Sequence, residues 1–174
     1  VGFSNSSSPY HPYLDYDQQT RDVLDAIAAG RKVLARDDVA LTGKLFATGF
    51  SQGGWLSMAL HRKIEATGGK LTASMPSAGS YALTALVDDI FLGRPVQGST
   101  VYFPLALTAA QRAGAGVYSD PAQFFNQRYA RGVEELLPAP GAFSNLVSAG
   151  RVPATALFAG PSLPPPAKAS RQLK

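Results

Sequence analysis

The sequence predicts an α/β fold in which a parallel sheet is followed by a helical insertion, and three observations support this. Residues 44–50 form a short, mostly apolar run, which is too short for a globular helix and typical of a strand buried on both faces. Helical periodicity follows over residues 52–67, and a second apolar run covers residues 71–77. A strand, helix and strand in this order predict a parallel pair. After Ser80 the pattern is helical, with Gly and Pro between the segments.

The remaining elements follow from capping residues and periodicity. Asp15 or Asp17 is placed to cap a helix that runs to about Ala35, with apolar residues recurring on one face. The tail is rich in proline and contains no acidic residue, which favours a polyproline-like segment. Further helices are predicted at residues 81–91, 104–113, 121–130 and 143–149, and a further strand at residues 154–158.

Composition excludes several classes of protein. The chain has 174 residues, which suggests one domain, and a net charge of +4 without a tight basic cluster, so we expect no nucleic-acid partner. It contains no cysteine, which excludes disulfides, thiolate metal sites and a cysteine nucleophile. No apolar run is long enough to predict a transmembrane segment, and the first residues do not resemble a signal peptide. No metal-ligand cluster or nucleotide-binding fingerprint is present, so we expect no metal and no cofactor.

One motif carries chemistry, the G-x-S-x-G pattern formed by Gly49, Phe50, Ser51, Gln52 and Gly53. In this motif the serine lies on a strained turn between strand and helix, and the glycines let the two elements pass closely. Ser51 is therefore the predicted nucleophile, and the backbone N–H of Gln52 is the predicted donor to an oxyanion. The alternative is an ordinary strand–helix connection made of small residues.

The residues around this motif resemble a known superfamily. The segment "GFSQGG" is similar to the nucleophile elbow of α/β-hydrolases, as found in bacterial carboxylesterases. "VGFSNSSSPYHPYLDYDQQTRDVLDAI" and "SMPSAGSYAL" resemble the secretory-lipase group of that superfamily, and the resemblance reaches to about Leu92. It implies an α/β-hydrolase-type parallel sheet, incomplete in this chain, with a helical lid. The implied domains are a core with the elbow at 1–79, a lid at 80–150, and a core strand start with the proline-rich tail at 151–174.

The resemblance also implies an activity. It implies hydrolysis of carboxylic esters through an acyl-enzyme on Ser51, with Gln52 as oxyanion donor and a small-molecule or lipid ester as substrate. It further implies a secreted or periplasmic protein. Aromatic side chains of the insertion are candidates to line an acyl pocket, although ordinary packing explains each of them better. These are Tyr81, Phe91, Phe103, Phe124 and Phe125.

The residues that would activate Ser51 are not evident. The family places an acid and then a histidine after the serine, whereas this chain has only His11 and His61. Ten residues of helix rise about 15 Å, so we expect His61 to be a surface or packing histidine. Asp88 and Asp89 are the best-placed acids, although a solvated or capping role suits them better.

Three accounts of the function therefore stay open. In the first, the chain is the central part of a serine ester hydrolase, which a second chain or a missing segment completes. In the second, it is an inactive hydrolase fold that serves as a binding module. In the third, it is a thioesterase or peptidase of the same fold, because the acid–base chemistry of these enzymes is shared.

Overall fold

The computed structural model describes residue 2, residues 6–94 and residues 99–133. Three predicted elements therefore lie outside the described residues. They are the helix at residues 143–149, the strand at residues 154–158 and the proline-rich tail.

The chain forms two compact units. One spans Leu14–Tyr81 and contains the sheet. The other combines the residues up to Tyr13 with those from Ala82 onward, and its described elements are helical. The domain boundaries that we placed after residues 79 and 150 stay a prediction.

The sheet-containing unit alternates helices and strands. Asp15 begins its first helix, because its carboxylate accepts a hydrogen bond of 2.9 Å from the backbone N–H of Gln18. The two strands pair in parallel, from Phe46 opposite Ala73 to Phe50 opposite Ser77, as the sequence predicts. Both strands thus end side by side at one edge of the sheet. The elements are α1 (Tyr16–Arg36), β1 (Phe46–Phe50), α2 (Gln52–Ala66) and β2 (Ala73–Ser77).

The core of this unit lies on one face of the sheet only. Leu60 and Ile64 of α2 are buried against Leu71, and apolar residues of α1 pack against the same cluster. The prediction that β1 is buried on both faces is wrong for the described structure, since Phe46 and Phe50 are 66% and 74% exposed. The reason is that α1 packs on α2 rather than on the opposite face of the sheet.

The helical unit has its own core. Large aromatic side chains in it pack against each other, with 5.5–6.2 Å between ring centroids. Phe103, Phe124 and Phe125 are almost fully buried in this core, which supports packing rather than an open acyl pocket as their role. Its elements are α3 (Leu83–Phe91), α4 (Ser99–Arg112), a 3₁₀ turn (Pro121–Gln123) and α5 (Gln127–Ala130).

Two predicted helices of this unit need correction. α4 begins at Ser99, about five residues before the predicted start, so that Pro104 lies inside the helix rather than at its first turn. The helix predicted over residues 121–130 is two short pieces. They are separate because the side chain of Asn126 accepts a hydrogen bond from the N–H of Arg128 and caps a new helix there.

Tyr13 gives the helical unit a predicted dependence on alkaline pH. Burial, and then the neighbouring Tyr102, raise the pKa of Tyr13 from 10.0 to about 12. The fold therefore favours the neutral phenol. Its contribution to stability is complete below pH 10 and is lost as the pH rises through 12.

We expect the Tyr13→Phe variant to lose less stability than the natural protein between these two pH values. Urea unfolding of both proteins at a series of pH values from 8 to 12 measures this difference. Equal losses in the two proteins would contradict the assignment.

Candidate active site

Ser51 lies in the connection between β1 and α2. Its backbone has φ of 55° and ψ of −119°, a region that residues with a side chain rarely adopt and that costs about 1–3 kcal/mol. The N–H of Ser51 donates to the carbonyl of Ser77 at 3.0 Å, and its carbonyl accepts from Trp55 at 3.1 Å. Ser51 is exposed, and its side chain makes no capping hydrogen bond to α2. The backbone is thus held on both sides while the hydroxyl remains accessible.

Because Gly49 has no side chain, the end of β1 can approach α2 closely. A Cβ built on Gly49 would lie 2.3 Å from the carbonyl oxygen of Gly53 and 2.4 Å from its carbonyl carbon. These are backbone atoms, which cannot rotate away, so any side chain here would force β1 and α2 apart. The strained position of Ser51 depends on this close approach.

The second close approach involves Gly54 instead of Gly53, which corrects the steric role that we assigned to Gly53. A Cβ built on Gly53 meets no described atom within 4 Å. A Cβ on Gly54 would lie 2.2 Å from the carbonyl oxygen of Ser77, the same oxygen that accepts the N–H of Ser51. Sequence reasoning missed this residue, although the pair of adjacent glycines was a visible signal.

Gln52 is the first residue of α2, a helix of 15 residues. The first N–H groups of a helix have no partner within the helix, and together they carry the positive end of its dipole. The first turn of α2 contains no acidic residue that would offset this charge. Gln52 therefore follows Ser51 at the end of the helix that favours negative charge.

The ring nitrogens of His61 contact residues other than Ser51. Its Nδ1 lies 2.8 Å from the hydroxyl of Ser74 in β2, and its Nε2 lies 3.3 Å from the carboxylate of Glu65 one turn further along α2. The side chain of His61 is 28% exposed, and it links α2 to β2. This arrangement supports the packing role that we expected for His61.

The group formed by Ser74, His61 and Glu65 contains the residue types of a hydrolytic triad. Its serine, however, lies in the second position of β2. It therefore lacks the strained turn and the helix N-terminus that surround Ser51.

His11 belongs to the helical unit and is buried there. Its ring lies 6.1 Å from the ring of Tyr13, and its carbonyl accepts the N–H of Tyr13 at 2.8 Å. A Cβ built on Gly2 would lie 2.3 Å from the backbone nitrogen of His11, so the chain is tightly folded at this point. These contacts support a structural role for His11.

Several acidic residues follow Ser51 in the sequence, and the carboxylates of Asp89 and Asp120 have other partners in the described structure. Asp89 forms an ion pair of 2.6 Å with Arg94 after α3, and Asp120 caps the 3₁₀ turn through the N–H of Ala122. The carbonyl of Asp88 accepts the N–H of Leu92 at the end of the same helix. Glu134 and Glu135 lie outside the described residues.

Two features are absent from the part of the chain that the structure describes. It contains no group of three or more His, Cys, Asp or Glu residues placed to hold a metal ion. Nor does any helix there have the length and apolar character needed to cross a membrane.

Solved hydrolase structures resemble the chain over nearly all of its length, and the chain has an α/β-hydrolase, esterase-like fold. The rice cell wall degrading esterase LipA from Xanthomonas oryzae matches it with a TM-score of 0.81 and 29% identity. A ligand-bound form of that esterase matches with a TM-score of 0.78 and 27% identity. A protein of Legionella pneumophila, provisionally described as a hydrolase, matches with a TM-score of 0.77 at 17% identity, which concerns the fold alone.

The chain spans about half the length of the proteins it matches. The first esterase structure aligns with 97% of this chain but only 48% of its own, and the Legionella protein with 99% and 45%. No protein-family model matches the chain, and no curated protein is significantly similar to it. The narrower resemblance to secretory lipases stays a prediction.

Proposed function

We propose that this chain carries the nucleophile of a serine carboxylester hydrolase. The observation that supports this most directly is the backbone of Ser51, which is strained, exposed and followed at once by a helix N-terminus. The likeness to an esterase at 29% identity favours an ester as the substrate. The matched protein is a rice cell wall degrading esterase, which acts outside the cytoplasm. We therefore propose a small-molecule or lipid ester as the substrate of this chain. We also propose that the enzyme is secreted or periplasmic.

In the proposed reaction, the hydroxyl oxygen of Ser51 attacks the carbonyl carbon of the ester. A general base takes the hydroxyl proton and passes it to the departing alcohol, which leaves an acyl-enzyme. Water then attacks the acyl carbon and gives a proton to the same base. The base returns this proton to the hydroxyl oxygen of Ser51 as the bond between that oxygen and the acyl carbon breaks, which releases the acid and free Ser51. The N–H of Gln52 and the positive end of α2 stabilise the oxyanion in both steps.

The general base is proposed to come from polypeptide outside these 174 residues. His61 is held by Ser74 and Glu65, about 15 Å along α2 from Ser51 by helix rise. His11 is buried against Tyr13 in the helical unit. A further segment or a second chain would therefore supply the histidine and its acid, in keeping with the half-length match to the esterase.

The rates at which the protein hydrolyses an ester, an anilide and a thioester of the same acyl group test this proposal. We expect the protein purified from its natural source to hydrolyse p-nitrophenyl butyrate about ten-fold or more faster than the matched anilide or a butyryl thioester. A preference for the thioester or the anilide would assign the chain to another acyl-transfer class. If the protein hydrolysed none of the three substrates, an inactive hydrolase fold that serves as a binding module would be favoured.

A further inference from the structure

A strained backbone position follows each of the two paired strands. Ser51 comes directly after β1 with φ of 55°, and Ala78 comes directly after β2 with φ of 50°. Residues with a Cβ rarely adopt this left-handed region, and such strain is concentrated at active sites and ligand sites. Because the strands are parallel and end in register, both positions lie at the same edge of the sheet. The turn after β2 therefore lies beside the turn that carries the nucleophile.

The turn after β2 packs on the first turn of α2. A Cβ built on Gly79 would lie 2.5 Å from the backbone nitrogen of Trp55, so Gly79 lies directly against the helix. The N–H of Trp55 in turn donates to the carbonyl of Ser51 at 3.1 Å. The same Cβ would lie 2.5 Å from Cε1 and 2.6 Å from Cζ of the Tyr81 ring. Gly79 thus brings the ring of Tyr81 to the helix turn that follows Ser51.

Tyr81 presents a partly exposed aromatic ring at this place. It is 51% exposed, whereas the phenylalanines in the core of the helical unit are almost fully buried. The N–H of Tyr81 donates to the carbonyl of Gly79 at 2.9 Å, which holds the backbone before the ring in a tight turn. The ring is therefore fixed in position, and about half of its surface is available to contact an apolar ligand.

The proposed reaction indicates which part of an ester meets this ring. The alcohol faces the general base, because that base passes it the proton of the Ser51 hydroxyl. The base is proposed to come from polypeptide outside these 174 residues. The acyl group, in contrast, stays bonded to Ser51 until water releases it. It is therefore the part of the substrate that residues of this chain beside Ser51 can hold through both steps.

We propose that Tyr81 is a specificity-determining residue whose ring lies along the acyl chain of the ester. A long aliphatic chain leaves water by packing on the ring, whereas an acetyl group offers a single methyl for this contact. The substrate class is then esters of apolar carboxylic acids with chains longer than that of acetate. This inference rests on the proposed function, because Tyr81 contacts the acyl group that Ser51 carries.

Two esters of the same alcohol test this assignment, p-nitrophenyl octanoate and p-nitrophenyl acetate. Each variant is made in the complete natural protein, and kcat/KM is measured for both esters. In Tyr81→Ala we expect the ratio of kcat/KM for octanoate to that for acetate to fall about ten-fold, because the long chain loses its apolar neighbour. In Tyr81→Phe the ring remains, so the natural ratio is expected. The ratio does not depend on how much of a variant folds.

Tyr16 supplies the matched control. It is a partly buried tyrosine of the same unit, and its ring lies 5.4 Å from the Nζ of Lys63 in the last turn of α2. Tyr16→Ala is expected to keep the natural ratio. An unchanged ratio in Tyr81→Ala, or an equal fall in Tyr81→Phe or Tyr16→Ala, overturns the role of the Tyr81 ring and leaves the proposed function intact. If the natural protein hydrolyses neither ester, the proposed function itself fails, and this inference fails with it.

Discussion

Replacement of Ser51 by alanine is expected to lower kcat for ester hydrolysis by on the order of 10⁴-fold or more, because the acyl-enzyme can no longer form. Alanine retains the Cβ and meets the same backbone strain at φ of 55° as serine does. The variant therefore removes the hydroxyl and leaves the backbone strain at this position unchanged. Denaturant unfolding of both proteins verifies that stability is preserved.

Ser74 supplies the matched control for that variant. It is the serine that contacts a histidine in the described structure, with its hydroxyl 2.8 Å from His61. We expect Ser74→Ala to keep kcat within a few-fold and to lower stability by about 1 kcal/mol, the usual contribution of one hydrogen bond. If Ser74→Ala abolished hydrolysis while Ser51→Ala retained it, the nucleophile would be Ser74.

Gly54→Ala is expected to lower both the stability of the fold and the rate of ester hydrolysis. Its Cβ would meet the carbonyl oxygen of Ser77 at 2.2 Å, so α2 and β2 must separate. Overpacking of this kind costs about 1–3 kcal/mol of stability. Since the same carbonyl accepts the N–H of Ser51, the separation also displaces the hydroxyl, and an error near 1 Å costs about 10²-fold in rate.

Gly53→Ala is the control for Gly54→Ala, since it places the same methyl group one residue earlier in open space. Alanine replaces glycine inside a helix with a gain of roughly 0.5–1 kcal/mol, so this variant is expected to be slightly more stable. Urea unfolding and ester hydrolysis of the two variants measure both effects. Equal behaviour of the two variants would contradict the role assigned to Gly54.

The sequence predicted the local parts of this site because they depend on neighbouring residues. The order of strand, turn and helix follows from periodicity and from the G-x-S-x-G spacing. The parallel pairing of β1 with β2 follows from that order. Asp15 was one of two candidate caps, and hydrogen bonding selects it.

The parts that were missed depend on contacts between elements distant in the sequence. Gly54 matters because Ser77, 23 residues later, approaches it, and the pair of adjacent glycines does not indicate which distant residue does so. The hydrogen bond between His61 and Ser74 likewise depends on tertiary structure, because it joins α2 to β2. The exposure of Phe46 and Phe50 was missed because an apolar strand does not reveal which of its faces the described helices cover.

Phosphonate labelling of the native protein distinguishes an activated Ser51 from an inert one, because these reagents modify activated serine nucleophiles. The protein from its natural source would be treated with a fluorophosphonate, and the adduct located by mass spectrometry of its peptides. We predict one adduct per chain, on Ser51, and none after denaturation, because activation requires the folded site. No adduct on the native protein, or an adduct on another serine such as Ser74, would contradict the claim.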